Sequence, residues 1–465
     1  SGYIAKGFLL GANIIVLPFI LSILSADEIG MNYIMASVAA LVQLADFGFS
    51  TQIGRNITYV ISGSKQLFKK EIETTIDNNV DFHLLATVIE TSKYIYRRIA
   101  YAVLFIMLTF GSLYMYKATE GFTNVSNSLI IWILYSVSTF FNFYFLYYNS
   151  LLTGAGKVRE SNIATILTKS TYIVICFCLL FAGFGLLSIV IANLVTPFIQ
   201  RIYSYRKFYS KEIRDGLKNE VVTKEEISKA FGILWYTARR SGINMLGHYV
   251  TTQAGTFLCG LFLSLTETAE WGLMLQLYGV VAGFSRSIVM SQMPEYSKCY
   301  IRGERGRLIE SISDGFVIFL LISICGILTI NIAGPFVLNL IHSNTHLPSS
   351  SSLMWVYGIS LLLLNNAQNF ANIMSSNNRI PSPTATLVTA LAIIILEIVT
   401  LKLLDWRLWS LVISPLVAGM AYTWWKWPQI VLTDLRVSYM TLLKVGSERW
   451  FSRVYNMVLT TTTKH

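Results

Sequence analysis

The chain has 465 residues, of which 54% are hydrophobic and 13% charged, and its mean hydropathy is +0.55. Soluble domains carry about 25% charged residues, so the composition excludes an ordinary soluble protein and points to one embedded in a membrane. The formal charge of +11 suits nucleic acid or the basic loops of a membrane protein, and the location of the charges decides between them.

A helix needs about 20 apolar residues to cross roughly 30 Å of hydrocarbon. In chain order, such runs occupy residues 7–24, 31–53, 99–116, 128–149, 161–181, 184–203, 240–263, 270–292, 314–340, 352–375, 383–404 and 407–427. The expected fold class is therefore all-α integral membrane, with about twelve spans. No small-residue cleavage site follows the first run, which reads as a retained span, and Ser1–Gly2 reads as the remnant of a cleaved tag. Beyond the last run, 429–465 mixes apolar residues at helical spacing with Arg and Lys, as in a basic amphipathic helix lying on the inner leaflet.

With the N-terminus in the cytoplasm, 29 Lys and Arg fall on the inner side, against Lys117, Lys402 and Arg407 outside. That asymmetry places both termini in the cytoplasm and makes the basic surplus a matter of topology. Nucleic acid is not expected as a partner. The five cysteines lie in or beside apolar runs without a CxxC and read as reduced packing residues.

Two polar breaks stand out. Residues 56–98 read as a cytoplasmic amphipathic helical loop, and 204–232 joins two sets of six spans. The expected lobes are 1–225 and 226–428, followed by the tail; six being even, they would be parallel repeats. At an offset of 240, Asp27 aligns with Glu267, Asp46 with Arg286 and Arg55 with Glu295.

An ionisable side chain inside a span costs on the order of several kcal/mol unless it faces protein or water. Those here are Asp46, Lys169, Arg239, Arg240, His248, Arg286 and Glu397, mostly basic. Lys169 sits about 13 Å of helical rise from the inner interface, which points to a cavity cation or to a pair with Asp46 or another acid. Arg239 and Arg240 open the seventh span, where one can snorkel to headgroups. Arg286 is poised between cavity and interface, His248 between cavity and core. Glu397 lies near Lys402 and Asp405, open to a local ion pair or a proton relay. A cationic vestibule implies an anionic cargo, because guanidinium and ammonium groups offset the desolvation of a diphosphate.

Two runs carry polar stripes. Asn365, Asn369, Asn372 and Ser376 recur on one face of the tenth, and Tyr135, Ser138, Asn142 and Asn149 on one face of the fourth, with Tyr148 nearby. They suit either helix–helix hydrogen bonds or a sugar-binding wall. No GxxxxGK[ST] occurs, and the external loops are too short for a catalytic domain. Neither an enzyme nor a cofactor or metal site is expected.

Residues 41–63, LVQLADFGFSTQIGRNITYVISG, and 268–304, TAEWGLMLQLYGVVAGFSRSIVMSQMPEYSKCYIRGE, resemble spans two and eight of the Wzx-type O-antigen and polysaccharide-unit flippases. The likeness covers nearly the whole chain. It implies the two-lobed fold of the multidrug/oligosaccharidyl-lipid/polysaccharide exporter superfamily and a bacterial inner-membrane location. The implied cargo is an undecaprenyl-diphosphate oligosaccharide moved to the periplasmic leaflet, with a polymerase and chain-length regulator as pathway partners. Asp46, Gly48, Phe49 and Arg55 match the span-two signature, and Arg286 falls where span eight of the family often has a base. The arginines that lipid II flippases carry in span one are missing, since only Lys6 and Asn13 stand there. By alternating access, Arg55 and Glu295 would pair when the inner side is shut, and proton or sodium coupling would use Asp46 or Glu397. Alternative readings are a multidrug antiporter of the same fold, which would want an acidic cavity, and a membrane-embedded glycosyl or phosphoryl transferase, which would want clustered carboxylates.

Overall fold

The computed structural model describes residues 15–67, 80–377 and 382–462; Lys6, Asn13 and Arg379, and the side chains of Arg240 and His248, lie outside the described part. It is built of helices in this order: α1 (15–23), α2 (Ala26–Gln43), α3 (Phe49–Ile61), α4 (Phe82–Ile106), α5 (Ser112–Ala118), α6 (Ser128–Tyr144), α7 (Tyr147–Gly154), α8 (Val158–Phe181), α9 (Leu187–Phe208) and α10 (Lys211–Leu217). There follow α11 (Lys224–Thr252), α12 (Ala254–Phe262), α13 (Leu265–Ser291), α14 (Met293–Arg302), α15 (Arg305–Leu340), α16 (Ser351–Ser376), α17 (Pro383–Lys402), α18 (Leu408–Ala421), α19 (Thr423–Leu435) and α20 (Tyr439–Thr462).

Each of the twelve expected spans is mostly helical over its described residues, and among the described residues eight helical stretches are long and apolar enough to cross a membrane. The first expected span lies partly outside the described residues, and the other three fall short for local reasons. Asparagines lower the hydropathy of α16, and breaks at Gln253 and Tyr422 divide the seventh and twelfth spans into α11–α12 and α18–α19. Large apolar side chains face outward along the spans: Phe105 is 65% exposed, Phe181 69% and Phe336 70%. In water such surfaces would be a liability; against lipid they are the natural exterior.

The chain packs as two units, Ser1–Ala269 with His342–Thr345, and Glu270–Ile341 with His346–His465. In the first, α6 lies on α4 and α9, α8 on α9, α3 on α7, and α11 on α4 and α3. Phe49, Ile53, Ile57 and Val60 of α3 meet Leu85, Val88 and Ile89 of α4 in its core. Asn344 belongs to this unit too: its amide nitrogens donate to the carbonyls of Leu21, Ser22 and Leu24, satisfying orphan acceptors where α1 ends. In the second unit α15 packs on α20, α16 on α19, and α17 on α18, around Phe319, Phe370, Trp424 and Trp427. This division follows packing and is a different one from the boundary expected near 225 between two groups of six spans.

Much of the expected 56–98 loop is continuation of the spans themselves. α3 runs to Ile61, and α4 begins at Phe82, where Asp81 accepts from the Leu84 amide at 2.8 Å. Near that start His83 sits between two carboxylates, 2.8 Å from Glu220 and 2.9 Å from Glu226, fastening the α10–α11 linker to α4. The Thr223 amide and, after it, His83 draw the Glu226 carboxyl down to about 2. The tail helix α20 docks on α15 through Arg449, whose guanidinium pairs with Glu310 and with Asp314 at 3.1 Å.

Candidate functional site

Lys169 is half-buried on α8 and pairs with no carboxylate among the described residues. Its ammonium instead lies 5.6 Å from the ring centroid of Tyr172, one turn on, and Tyr172 neighbours Tyr135 of α6. A cation held over an aromatic face in the apolar zone stays available to an anion, because the ring quadrupole offsets only part of its lost hydration. Lys169 and Tyr135, expected separately, thus belong to one cluster; Tyr172 was missed, although its i, i+3 spacing from Lys169 was a usable signal.

The pair between Lys169 and Asp46 does not form. Asp46 ends a short 3-10 turn, after which Phe47 (φ 46°) and Gly48 (φ 80°) are left-handed and α3 starts. Its carboxylate accepts from the Ser50 amide at 3.3 Å, the Ser50 hydroxyl at 2.8 Å and the Tyr96 hydroxyl. Glycine at 48 is required by the backbone there, and Phe49 anchors the turn by stacking on Phe231 and Trp235. The Asp-Phe-Gly-Phe signature is therefore a helix-restart device as observed. Arg55 is exposed and borders a polar recess of about 340 Å³ between α3 and α7, with Ser50, Thr51, Thr58, Asn149 and Thr153.

In the second unit Arg286 is half-buried on α13, and its Nε is fully buried without a hydrogen-bond partner among the described residues. Glu295, expected to gate with Arg55, is engaged inside its own unit by Arg307 at 2.8 Å. Glu397 is 2% exposed on α17, and its Oε2 likewise has no partner. The local ion pair expected with Lys402 is absent among the described residues, since neither residue has an ion pair. Arg239 is exposed and lies 5.3 Å from the ring centroid of Tyr236, consistent with snorkelling.

The polar stripes divide. On α16, Asn365 folds back on the Leu361 carbonyl at 2.8 Å, whereas Asn369, 4% exposed, leaves both amide atoms unsatisfied. Asn372 reaches only the Met290 sulfur, at 3.2 Å. On α6, Asn142 is exposed and bonds the Ser138 carbonyl, while Asn149 accepts from Ser161 at 2.7 Å and so joins α7 to α8. Asn149 and Asn365 have structural partners, and Asn369 keeps its hydrogen-bonding capacity for something else.

Solved structures share this architecture. A multidrug resistance MATE family transporter of the MOP superfamily, in an inward-facing conformation, superposes with a TM-score of 0.63 at 12% identity, covering 92% of this chain and 95% of the other. The lipid II flippase MurJ, in an inward closed conformation, gives 0.62 at 12% identity over 99% and 91%. A eukaryotic MATE transporter gives 0.51 at 10% identity over 96% and 100%. No family model and no curated protein matches the sequence. The chain thus has the fold of MOP-superfamily transporters, and identities this low establish the fold alone.

Proposed function

We propose that this protein is a flippase that carries an undecaprenyl-diphosphate-linked oligosaccharide, an O-antigen-type repeat unit, from the cytoplasmic to the periplasmic leaflet of a bacterial inner membrane by alternating access. One observation carries the reading: Lys169 and Arg286 are half-buried cations within spans, and neither is neutralised by a described carboxylate. Holding such charges is costly, and a diphosphate is the kind of cargo that repays it through charge-assisted hydrogen bonds. Tyr172 and Tyr135 beside Lys169 offer rings on which sugars can stack, and Asn369 offers unspent amide groups. A carrier of cationic drugs would place acids where these bases stand.

With no nucleotide motif in the chain, the driving force falls to an ion gradient. Glu397, buried with a free oxygen, is the better coupling group than Asp46, whose acceptors are occupied.

The test is K169A/R286A in a strain that depends on this protein for its surface polysaccharide. Lipid-linked sugar is expected to accumulate on the inner leaflet, with surface polymer falling by about a hundredfold if each of the two lost contacts is worth roughly 1.4 kcal/mol. K169R and R286K, which keep the charge, should restore a large part. Unchanged polymer at normal membrane abundance of the double variant would sink the proposal.

A further inference from the structure

A second cationic feature lies outside that site, on the first unit. Along α4, Glu90, Lys93, Tyr94, Arg97, Arg98 and Tyr101 form one side of a cavity of about 600 Å³, closed by Tyr144 of α6, Tyr147 of α7 and Ile227 of α11. Among the described residues the only acid lining it is spoken for, since Glu90 holds Lys93 at 2.6 Å. Arg97 and Arg98 pair with no carboxylate among the described residues, and the Arg98 guanidinium is parked 4.2 Å over the Tyr94 ring. The net lining is thus two free guanidiniums in an aromatic frame, a receptor for a phosphate ester.

The order of side chains along the helix identifies the source of that phosphate. From Arg97, steps of four residues lead to Tyr101, 55% exposed, and then Phe105, 65% exposed, with Ile106 and Leu108 also facing out. Charge, aromatic hydroxyl and bare hydrocarbon therefore follow one another over about 12 Å of helical rise, the same sequence as phosphate, glycerol ester and acyl chain in a bilayer leaflet.

We propose that this cavity is a binding site for an anionic glycerophospholipid of the surrounding leaflet, its phosphate held by Arg97 and Arg98 and its acyl chains running along Tyr101 and Phe105. The occupant touches α4, α6–α7 and α11 at once, so it braces the linker-borne helix α11 against α4. The site is independent of the cargo: it stands or falls whether or not the protein moves a lipid-linked sugar.

Native mass spectrometry of the full-length protein in detergent, titrated with phosphatidylglycerol or phosphatidylcholine, tests this. Wild type is expected to retain phosphatidylglycerol preferentially, and R97Q/R98Q to bind it about tenfold more weakly or worse. K211Q/R214Q, which removes the same charge from exposed positions on α10, should bind as wild type does. Melting temperatures check folding, and if the double variant does not fold, R97Q and R98Q singly are each expected to weaken retention. The proposal is overturned if the Arg variants keep the lipid, if the α10 control loses it equally, if phosphatidylcholine is held as well, or if glycerol 3-phosphate displaces the lipid at equal concentration, which would make the ligand a soluble phosphate.

Discussion

Two buried carboxylates behave in opposite ways because of what surrounds them. Asp46 receives three donors and starts α3, so its removal strands the Ser50 amide and the Tyr96 hydroxyl. D46A is expected to lower stability by about 1–3 kcal/mol, read as a drop in melting temperature of the purified protein, with D46N milder because one acceptor survives. Glu397 has an oxygen with no partner, and burying such a group opposes folding. E397Q should therefore leave the melting temperature unchanged or raised while abolishing the dependence of transport on an ion gradient. A variant that keeps full gradient dependence would remove Glu397 from the coupling role.

At the scale of helices, close approach and long-range pairing decide the packing. α3 meets α7 at Gly154, where an added Cβ would lie 2.5 Å from the Gly54 carbonyl oxygen and 2.7 Å from Ile57, and the Thr58 hydroxyl donates to the Gly154 carbonyl at 2.8 Å. Small residues at such contacts let backbones touch, the main source of helix association in lipid. G154L is accordingly expected to separate the two helices and lower the yield of folded protein in membranes, measured by fluorescence-detected size exclusion. α20 is fastened differently. Arg449 reaches Glu310 and Asp314 from about 135 residues away along the chain, and Asp314 is only 6% exposed. R449A takes the guanidinium away from that buried carboxylate, with an expected cost of about 1.5–3 kcal/mol and release of α20 to limited proteolysis. R449A/D314N should recover a large part, which a purely steric role for Arg449 would not allow.

For the whole molecule, lipid as solvent makes a one-dimensional reading effective. Hydrocarbon tolerates only backbone that satisfies itself, so apolar runs such as 161–181 and 383–404 had to be helices, and α8 and α17 lie there. Where polar residues diluted a run, as with the asparagines of α16, or a break divided one, as at Tyr422, hydropathy alone stops identifying a span although the helix is present. The cytoplasmic placement expected for both termini from Lys and Arg is checked by reporter fusions: a cytoplasmic reporter at the C-terminus should be active and a periplasmic one silent.

The sequence by itself determined the membrane class, the order of the helices and which charges sit within spans, because each depends on local composition over about 20 residues. Only the tertiary structure decided what those charges do. Asp46 is occupied by Ser50 and by Tyr96 from across the fold, Glu295 is engaged by Arg307, and Lys169 pairs with no acid among the described residues. An ionisable group declares its role through its partners, and partners 12 to 135 residues away are set by packing that no local pattern records.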